Sequence, residues 1–179
     1  MRKKLKRLFA FALSVMLLPL IPMSGANAAY TVENDVYVWD LTDITAEIGY
    51  DEVAFQNGTA YEYHGLTITG NATAAAINEN GVKLGKVTSN NGTMNIAYTP
   101  PCPGKLTVTA QIGKSGSYYS KIYVNTTLGM TGDAGNPIII GTAAREETAE
   151  TNLEAGNTYY IYDGSTASAY IKDIPLSRI

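Results

Sequence analysis

Short alternating runs of polar and apolar residues, rich in Val, Ile, Thr and Tyr, constrain this chain more than any other feature. After residue 28, no window keeps the apolar spacing of an amphipathic helix. Gly, Asn and Asp interrupt the runs at intervals of roughly ten residues, which is typical of sandwiches and jelly rolls. We therefore predict an all-β fold, an antiparallel and jelly-roll-like β-sandwich of about 8 to 10 strands.

The individual strands follow from the alternation and from the turn residues between the runs. They are predicted at 36–41, 61–69, 81–87, 92–98, 104–112, 118–125, 137–142, 157–163 and 168–174. Asn80-Gly81 has the chemistry of a tight turn, because Gly adopts positive φ without strain. The acidic stretch 142–151 fits a loop, an edge strand or one helical turn. The last two strands, joined across Asp163-Gly164-Ser165, predict a closing β-hairpin.

The first 28 residues have the pattern of a secretory signal peptide. Five basic side chains within the first seven residues precede an apolar stretch from Leu8 to Ile21, and Ala26-Asn27-Ala28 is a small-residue cleavage site. An uncleaved anchor is the alternative, but Pro19 and Pro22 disfavour it. We expect a secreted, extracellular protein in which 29–179 forms one β-sandwich domain.

Charge narrows the range of partners. All 16 acidic residues, but only eight of the 13 basic ones, follow residue 28, which leaves a net charge of about −8. Nucleic acid and anionic membranes attract basic surfaces, so we expect neither as a partner of the cleaved protein. The single cysteine, Cys102, excludes an intramolecular disulfide and a thiolate metal cluster.

Catalytic motifs are scarce. The only histidine, His64, is predicted to be an ordinary strand or turn residue, and the sequence contains no nucleophile elbow or P-loop. A pair of catalytic carboxylates can be neither located nor excluded among the acidic residues. We expect no catalytic residues, with a carbohydrate-active enzyme as an open alternative.

Aromatic residues favour binding. Trp39 alternates with Tyr37 and Leu41, so we place all three in the core. The 13 tyrosines include the doublets Tyr118-Tyr119 and Tyr159-Tyr160, and adjacent strand residues face opposite sides of a sheet. One tyrosine of each doublet is therefore expected on an outer face.

Sugar contact is predicted at one cluster of rings, hydroxyls and ammonium groups, which suits both stacking and a uronate carboxylate. Its residues are Lys114, Tyr118, Tyr119 and Lys121. An ordinary solvated strand is the competing interpretation.

Structural calcium is the only cofactor considered. Ca²⁺ takes six to eight oxygen ligands, and Asp40, Asp43 and Asp133 lie in acidic loops that offer carboxylates and carbonyls. None of these loops matches an EF-hand, so turn-forming Asp residues are the simpler interpretation.

The order of several segments resembles one known class of protein. These segments are Trp39-Asp40-Leu41, Gly65-Leu66-Thr67-Ile68, Pro103-Gly104-Lys105-Leu106-Thr107-Val108, Leu153 to Tyr162 and Ile171-Lys172-Asp173-Ile174. They look like the non-catalytic, carbohydrate-binding β-sandwich modules appended to secreted bacterial pectate lyases and related polysaccharide-degrading enzymes. The resemblance implies a jelly-roll-like module that holds an enzyme or cell surface near plant cell-wall polysaccharide, with pectin favoured.

Two other functions stay open. One is a structural or adhesive extracellular domain, and the other is a fragment of a pectate lyase or another carbohydrate-active enzyme. A pectin ligand also requires a local positive charge on this acidic chain. That condition is met only if five lysines gather on one face: Lys83, Lys86, Lys105, Lys114 and Lys121.

Overall fold

The computed structural model describes residues 30–33, 35–42, 44–84, 94–112, 120–129, 136–141, 145–164 and 167–178. They form two antiparallel sheets and one short helix, α1 (Glu52–Gln56). The strands are β1 (Tyr30–Glu33), β2 (Val36–Asp40), β3 (Ala60–Tyr63), β4 (Leu66–Thr69), β5 (Ala76–Asn78), β6 (Gly81–Leu84), β7 (Asn95–Tyr98), β8 (Gly104–Ile112), β9 (Ser120–Asn125), β10 (Ile139–Gly141), β11 (Glu146–Leu153), β12 (Tyr159–Asp163) and β13 (Ala169–Arg178). The predicted all-β sandwich is confirmed.

The first sheet is built around β13, which at ten residues is the longest described strand. One edge of β13 pairs with β8 over nearly its whole length. Its other edge is shared, with β6 against the first half and β2 against the second. β11 extends the sheet beyond β8, while β1 and β5 extend it beyond β2 and β6.

The second sheet has the order β10-β9-β12-β7-β4-β3. Alternate residues of both sheets point into the shared core, for example Ile96 and Ile161 from the second sheet and Val108 and Ile171 from the first. Each such side chain stabilises the fold by about 1.5–3 kcal/mol on burial. The opposite residues of each strand form the two outer faces.

The predicted closing hairpin is wrong. β12 lies in the second sheet and β13 in the first, so the turn after Asp163 crosses between the sheets. The physical reason is that β7 and β9 occupy both edges of β12, leaving it no free edge for β13. Consecutive strands often pair as a hairpin, but here β7 and β9 pair with β12 instead of β13.

The structure has more strands than the sequence predicted, because several short strands were not recognised in the sequence. The run 61–69 is two strands, β3 and β4, joined by a two-residue turn, and 146–153 is the edge strand that was one of three options. Asp51 caps the N-terminus of helix α1, since its carboxylate accepts a hydrogen bond from the Ala54 amide at 3.1 Å. Five residues are too few to show a helical period. Among the described residues, no helix has the length and hydropathy needed to cross a bilayer.

Gly81 begins β6 at the predicted Asn80-Gly81 turn and contacts the centre of the first sheet. Its φ is +106°, and a Cβ at this position would lie 2.2 Å from the Ile171 carbonyl oxygen. Real Cβ atoms do not approach a backbone oxygen so closely, so any side chain here has to displace β13 or β6. Gly156 offers a comparison, because its φ is +77° and its Cβ position is open.

We expect Gly81→Ala to lower the free energy of unfolding by about 3 kcal/mol or more, because positive-φ strain and backbone overlap add together. Gly156→Ala should show only the strain, about 1–2 kcal/mol. Urea unfolding of both variants measures the difference. Equal losses would mean that β6 and β13 are less closely packed than described.

Candidate functional site

The sequence-predicted sugar contacts lie mostly outside the described residues. Lys114, Tyr118 and Tyr119 fall there, whereas Lys121 lies on β9. Ile122 and Val124 of the same strand point into the core, so Lys121 and Asn125 belong to the outer face of the second sheet. That face therefore carries Lys121, the one member of the predicted cluster that the structure describes.

One half of this outer face is covered. Tyr123 and Tyr162 point away from the inter-sheet core but are completely buried, with their rings stacked 5.2 Å apart at 13°. The Tyr162 hydroxyl donates to the Thr127 carbonyl at 3.3 Å and accepts from the Asn125 amide at 3.5 Å. These two tyrosines are therefore structural and unavailable to a ligand.

The other half is open and crossed by a row of paired residues. In register from β9 to β3, the row consists of Asn125, Tyr160, Ala97, Thr67 and Glu62. With strands about 4.8 Å apart, it spans roughly 19 Å. The small side chain of Ala97 leaves a depression between Tyr160 and Thr67.

A shallow pocket of about 130 Å³ lies at the Ala97–Thr67 part of the row. It is lined by Gly65, Thr67, Ala97, Tyr98, Thr99 and Thr158. Sites for whole drug-sized ligands are larger, about 300–1,000 Å³, so this pocket suits one small unit of a longer ligand.

Hydrogen bonds fix the rim of the pocket. The Thr99 and Thr158 hydroxyls lie 2.8 Å apart, which joins the end of β7 to the start of β12. Beyond Thr158, the Glu154 amide donates to the Tyr159 hydroxyl at 2.9 Å, and the Gly156 amide donates to the Pro100 carbonyl at 2.8 Å. These bonds hold the threonine hydroxyls in place before any ligand binds.

The Tyr159-Tyr160 doublet divides as predicted. Tyr159 packs against the core, while Tyr160 stands in the open row and is only partly buried. Sequence alternation predicts that one tyrosine of the doublet faces outward, and the structure shows that this is Tyr160. The sequence does not identify Ala97 or Thr67 as neighbours of Tyr160, because they come from distant strands.

Trp39 and Tyr37 lie in or against the core, as predicted. Trp39 is 1% exposed, with its ring stacked on Tyr37 and edge-on to Tyr98. Its indole N–H donates to the His64 carbonyl at 3.1 Å. Two of its contacts, Tyr98 and the His64-Gly65 turn, border the pocket.

His64 lies in the turn between β3 and β4. His64 (φ +45°) and Gly65 (φ +87°) form a two-residue hairpin turn of the kind that needs two positive φ angles. The imidazole Nε2 lies 2.5 Å from a Glu47 carboxylate oxygen, and the two side chains are 39% and 47% exposed. The predicted turn position is confirmed, and the hydrogen bond to Glu47 is a contact that the sequence did not reveal.

The calcium expectation gains no support from Asp40. One of its carboxylate oxygens accepts hydrogen bonds from the Thr42 amide at 2.9 Å and from the Thr42 hydroxyl at 2.6 Å, which is the bonding of a turn residue. Asp43 and Asp133 lie outside the described residues. Within the described part of the chain, no three His, Cys, Asp or Glu residues group so as to hold a metal ion.

The lysines of the pectin condition divide between the two outer faces. Lys83 and Lys105 alternate with core residues of the first sheet, whereas Lys121 belongs to the second. Lys83 lies 5.8 Å from the centre of the Tyr170 ring, and Lys105 pairs with Glu150. These three residues therefore do not meet the condition of a single lysine face, while Lys86 and Lys114 are outside the described ranges.

Comparisons with solved structures return β-rich carbohydrate-related proteins. One is a protein of the Ruminococcus flavefaciens cellulosome described for glycan recognition, with 17% identity and a TM-score of 0.39, covering 80% of this chain and 94% of that one. Another is a carbohydrate-binding module, CBM36, solved with calcium and xylotriose, with 13% identity and a TM-score of 0.34, covering 69% and 96%. A third is an α-1,3-glucanase catalytic unit from Streptomyces thermodiastaticus, with 15% identity and a TM-score of 0.32, covering 55% of this chain and 20% of that one.

The sequence matches no protein-family model and no curated protein. The three structural likenesses above all have TM-scores below 0.5.

Asp173 is a perturbed carboxylate on the outer face of the first sheet, opposite Asp40 in the register. Burial raises the pKa of Asp173, and the nearby Glu146 and Asp40 carboxylates raise it further, although a hydrogen bond from Thr109 and the Lys172 charge oppose the shift. The native state therefore holds this proton more tightly than the unfolded chain, in which the pKa of Asp is about 3.9. As the pH rises through the interval between these two pKa values, the carboxyl makes the fold less stable.

We expect Asp173→Asn to raise the free energy of unfolding at pH 7, because the amide keeps an acceptor for Thr109 without the buried charge. The gain should shrink as the pH falls and vanish below about pH 3.9. Urea unfolding at several pH values measures it, with Glu79→Gln as a control for loss of an exposed charge. A variant less stable than the wild type at pH 7 would contradict the raised pKa.

Proposed function

We propose that this protein binds polysaccharide through the open half of the outer face of the second sheet. The observation that carries the proposal is the row in which the Tyr160 ring, the small Ala97 and the Thr67 hydroxyl stand side by side. A tyrosine ring stacks on the weakly apolar face of a sugar, and hydroxyl groups exchange hydrogen bonds with sugar hydroxyls. The open, shallow shape suits a long polymer that passes over the protein.

The biological role follows from tethering. A secreted protein that holds an associated enzyme, catalytic domain or cell surface on an insoluble polymer converts a diffusional search into a local one. Cleavage after Ala28 would release residues 29–179 as the exported domain. Plant cell-wall polysaccharide is the proposed ligand class.

The narrower form of the proposal is a pectin-type ligand held at the segment that leads into β9. Lys114 and Lys121 would pair with uronate carboxylates, and Tyr118 and Tyr119 would stack on the rings. Lys121 belongs to the same outer face as Tyr160. Structural calcium at Asp43 or Asp133 is part of this narrower form.

We expect Tyr160→Ala to weaken polysaccharide binding by about 1–2 kcal/mol, roughly five- to thirty-fold in Kd. Affinity electrophoresis through gels that hold homogalacturonan, xylan, β-glucan or no polymer measures the loss, with and without EDTA. Tyr170→Ala is the matched control, since Tyr170 is also a partly buried outward tyrosine but lies on the first sheet.

Equal retardation of wild type and Tyr160→Ala would contradict the open face as the binding surface. The double variant Tyr118→Ala with Tyr119→Ala tests, in the same gels, whether these two tyrosines contact the polymer. If the wild type is retarded without EDTA but not with EDTA, the result would support structural calcium at Asp43 or Asp133.

The adhesive alternative requires an edge that pairs with another chain. In the described part of the first sheet β11 is an edge strand, paired only with β8. It carries the carboxylates of Glu146, Glu147 and Glu150, and charges on an edge strand oppose pairing with a neighbour. The charges on β11 therefore disfavour the pairing of this edge with a second chain.

The enzyme alternative has one observation in its favour, the hydrogen bond between His64 and Glu47. An imidazole oriented by a carboxylate is one part of a general base, but a base needs a nucleophile or substrate proton within reach. The turn geometry already accounts for the position of His64. We expect no release of reducing ends and no unsaturated product from homogalacturonan, xylan or β-glucan. Degradation by the wild type that His64→Gln abolishes would favour the enzyme.

A further inference from the structure

We infer that the pocket at Ala97 and Thr67 is a subsite for one uncharged sugar unit of the polysaccharide. This inference rests on the proposed function and deepens it by naming the chemistry of the bound unit. It does not depend on residues 114–121, where the proposal of a pectin-type ligand places Lys114 and Lys121.

The charge around the pocket selects against a uronate. None of the six lining residues carries a charge, and the one charged side chain in the register row is Glu62, which is opposite Thr67. A sugar carboxylate bound here would lie near a carboxylate of the same sign. Such juxtaposition of like charges is how a site rejects the wrong ligand.

Hydroxyl recognition is built into the same residues. The Thr67 hydroxyl donates to one Glu62 oxygen at 2.8 Å, which orients the carboxylate along the sheet surface. A carboxylate has about four acceptor positions, so Glu62 retains capacity to accept from sugar hydroxyls. Such charge-assisted bonds are about twice as strong as neutral ones. Thr99 and Thr158 add hydroxyls on the opposite rim.

Size and rigidity limit the pocket to one unit. At about 130 Å³ it is well below the volume of a site that encloses a whole ligand. The neighbouring units of the polymer would continue along the row over Tyr160. Because the threonine pair and the 154–158 turn are already fixed by hydrogen bonds, binding orders few protein groups.

The test uses a matched pair of variants on β4. Thr67 and Thr69 both point outward and are both half-buried, but only Thr67 lines the pocket. In gels containing β-glucan, xylan or mannan, we expect Thr67→Val to weaken binding roughly three- to ten-fold and Thr69→Val to leave it unchanged. Ala97→Leu, which fills the depression, should weaken it at least as much.

Glu62→Gln separates neutral from acidic ligands by the sign of its effect. It should weaken retardation by the neutral polymer, since a charged acceptor is lost, and strengthen retardation by homogalacturonan, since repulsion is relieved. Thermal unfolding of each variant confirms that the fold is intact, and Thr158→Val replaces Ala97→Leu if the larger side chain unfolds the protein.

The outcomes distinguish this inference from the proposed function. Retardation by homogalacturonan alone, or neutral-polymer binding that Thr67→Val and Ala97→Leu leave unchanged, would overturn the neutral subsite while polysaccharide binding stands. Mobility unaffected by every polymer would overturn the proposed function, and the subsite with it.

Discussion

The first sheet depends on a single strand with a divided edge. β13 pairs with β8 on one side and with both β6 and β2 on the other, so the other six strands of the sheet form three pairs that are joined only through β13. The register with β8 shifts between Ile171 and Asp173, and the Lys172 carbonyl in the shift accepts from the Leu41 amide at 2.7 Å. Lys172, the residue at the irregularity in β13, thus forms a hydrogen bond with Leu41, the first residue after β2. The close contact of Gly81 with Ile171 lets β6 share the same edge.

The two outer faces of the sandwich use polar residues differently. On the first sheet they neutralise one another, as in the pairs of Lys105 with Glu150 and Lys172 with Glu146. On the second sheet the buried Tyr123–Tyr162 stack closes one half and leaves the row through Tyr160 open. An acidic protein thereby keeps one surface whose polar groups are mainly hydroxyls and a ring, which is where an uncharged, hydroxyl-rich ligand meets least electrostatic opposition.

Local patterns predicted the fold class and many strands, because alternation and Gly turns are properties of neighbouring residues. β8 was predicted at its observed bounds, and Trp39 was placed in the core correctly. The closing hairpin was wrong, since strand partners are chosen by all edges together. For the same reason the sequence indicated that one tyrosine of the Tyr159-Tyr160 doublet faces outward, but not that Ala97 and Thr67 lie beside Tyr160. Those neighbours are fixed by the register of β12, β7 and β4.

Trp39 lies in the core but also contacts two parts of the chain that border the pocket. Its ring lies 5.2 Å from that of Tyr98, a pocket residue, and its indole N–H bonds the His64 carbonyl beside Gly65, another pocket residue. One buried side chain therefore contacts both β7 and the β3–β4 turn, which form two sides of the pocket. A packed core holds its parts in nearly fixed positions, so a depression built on it keeps its shape in the absence of ligand. In the proposed function, the tryptophan would support sugar recognition by positioning the surface that contacts the sugar, without contacting the sugar itself.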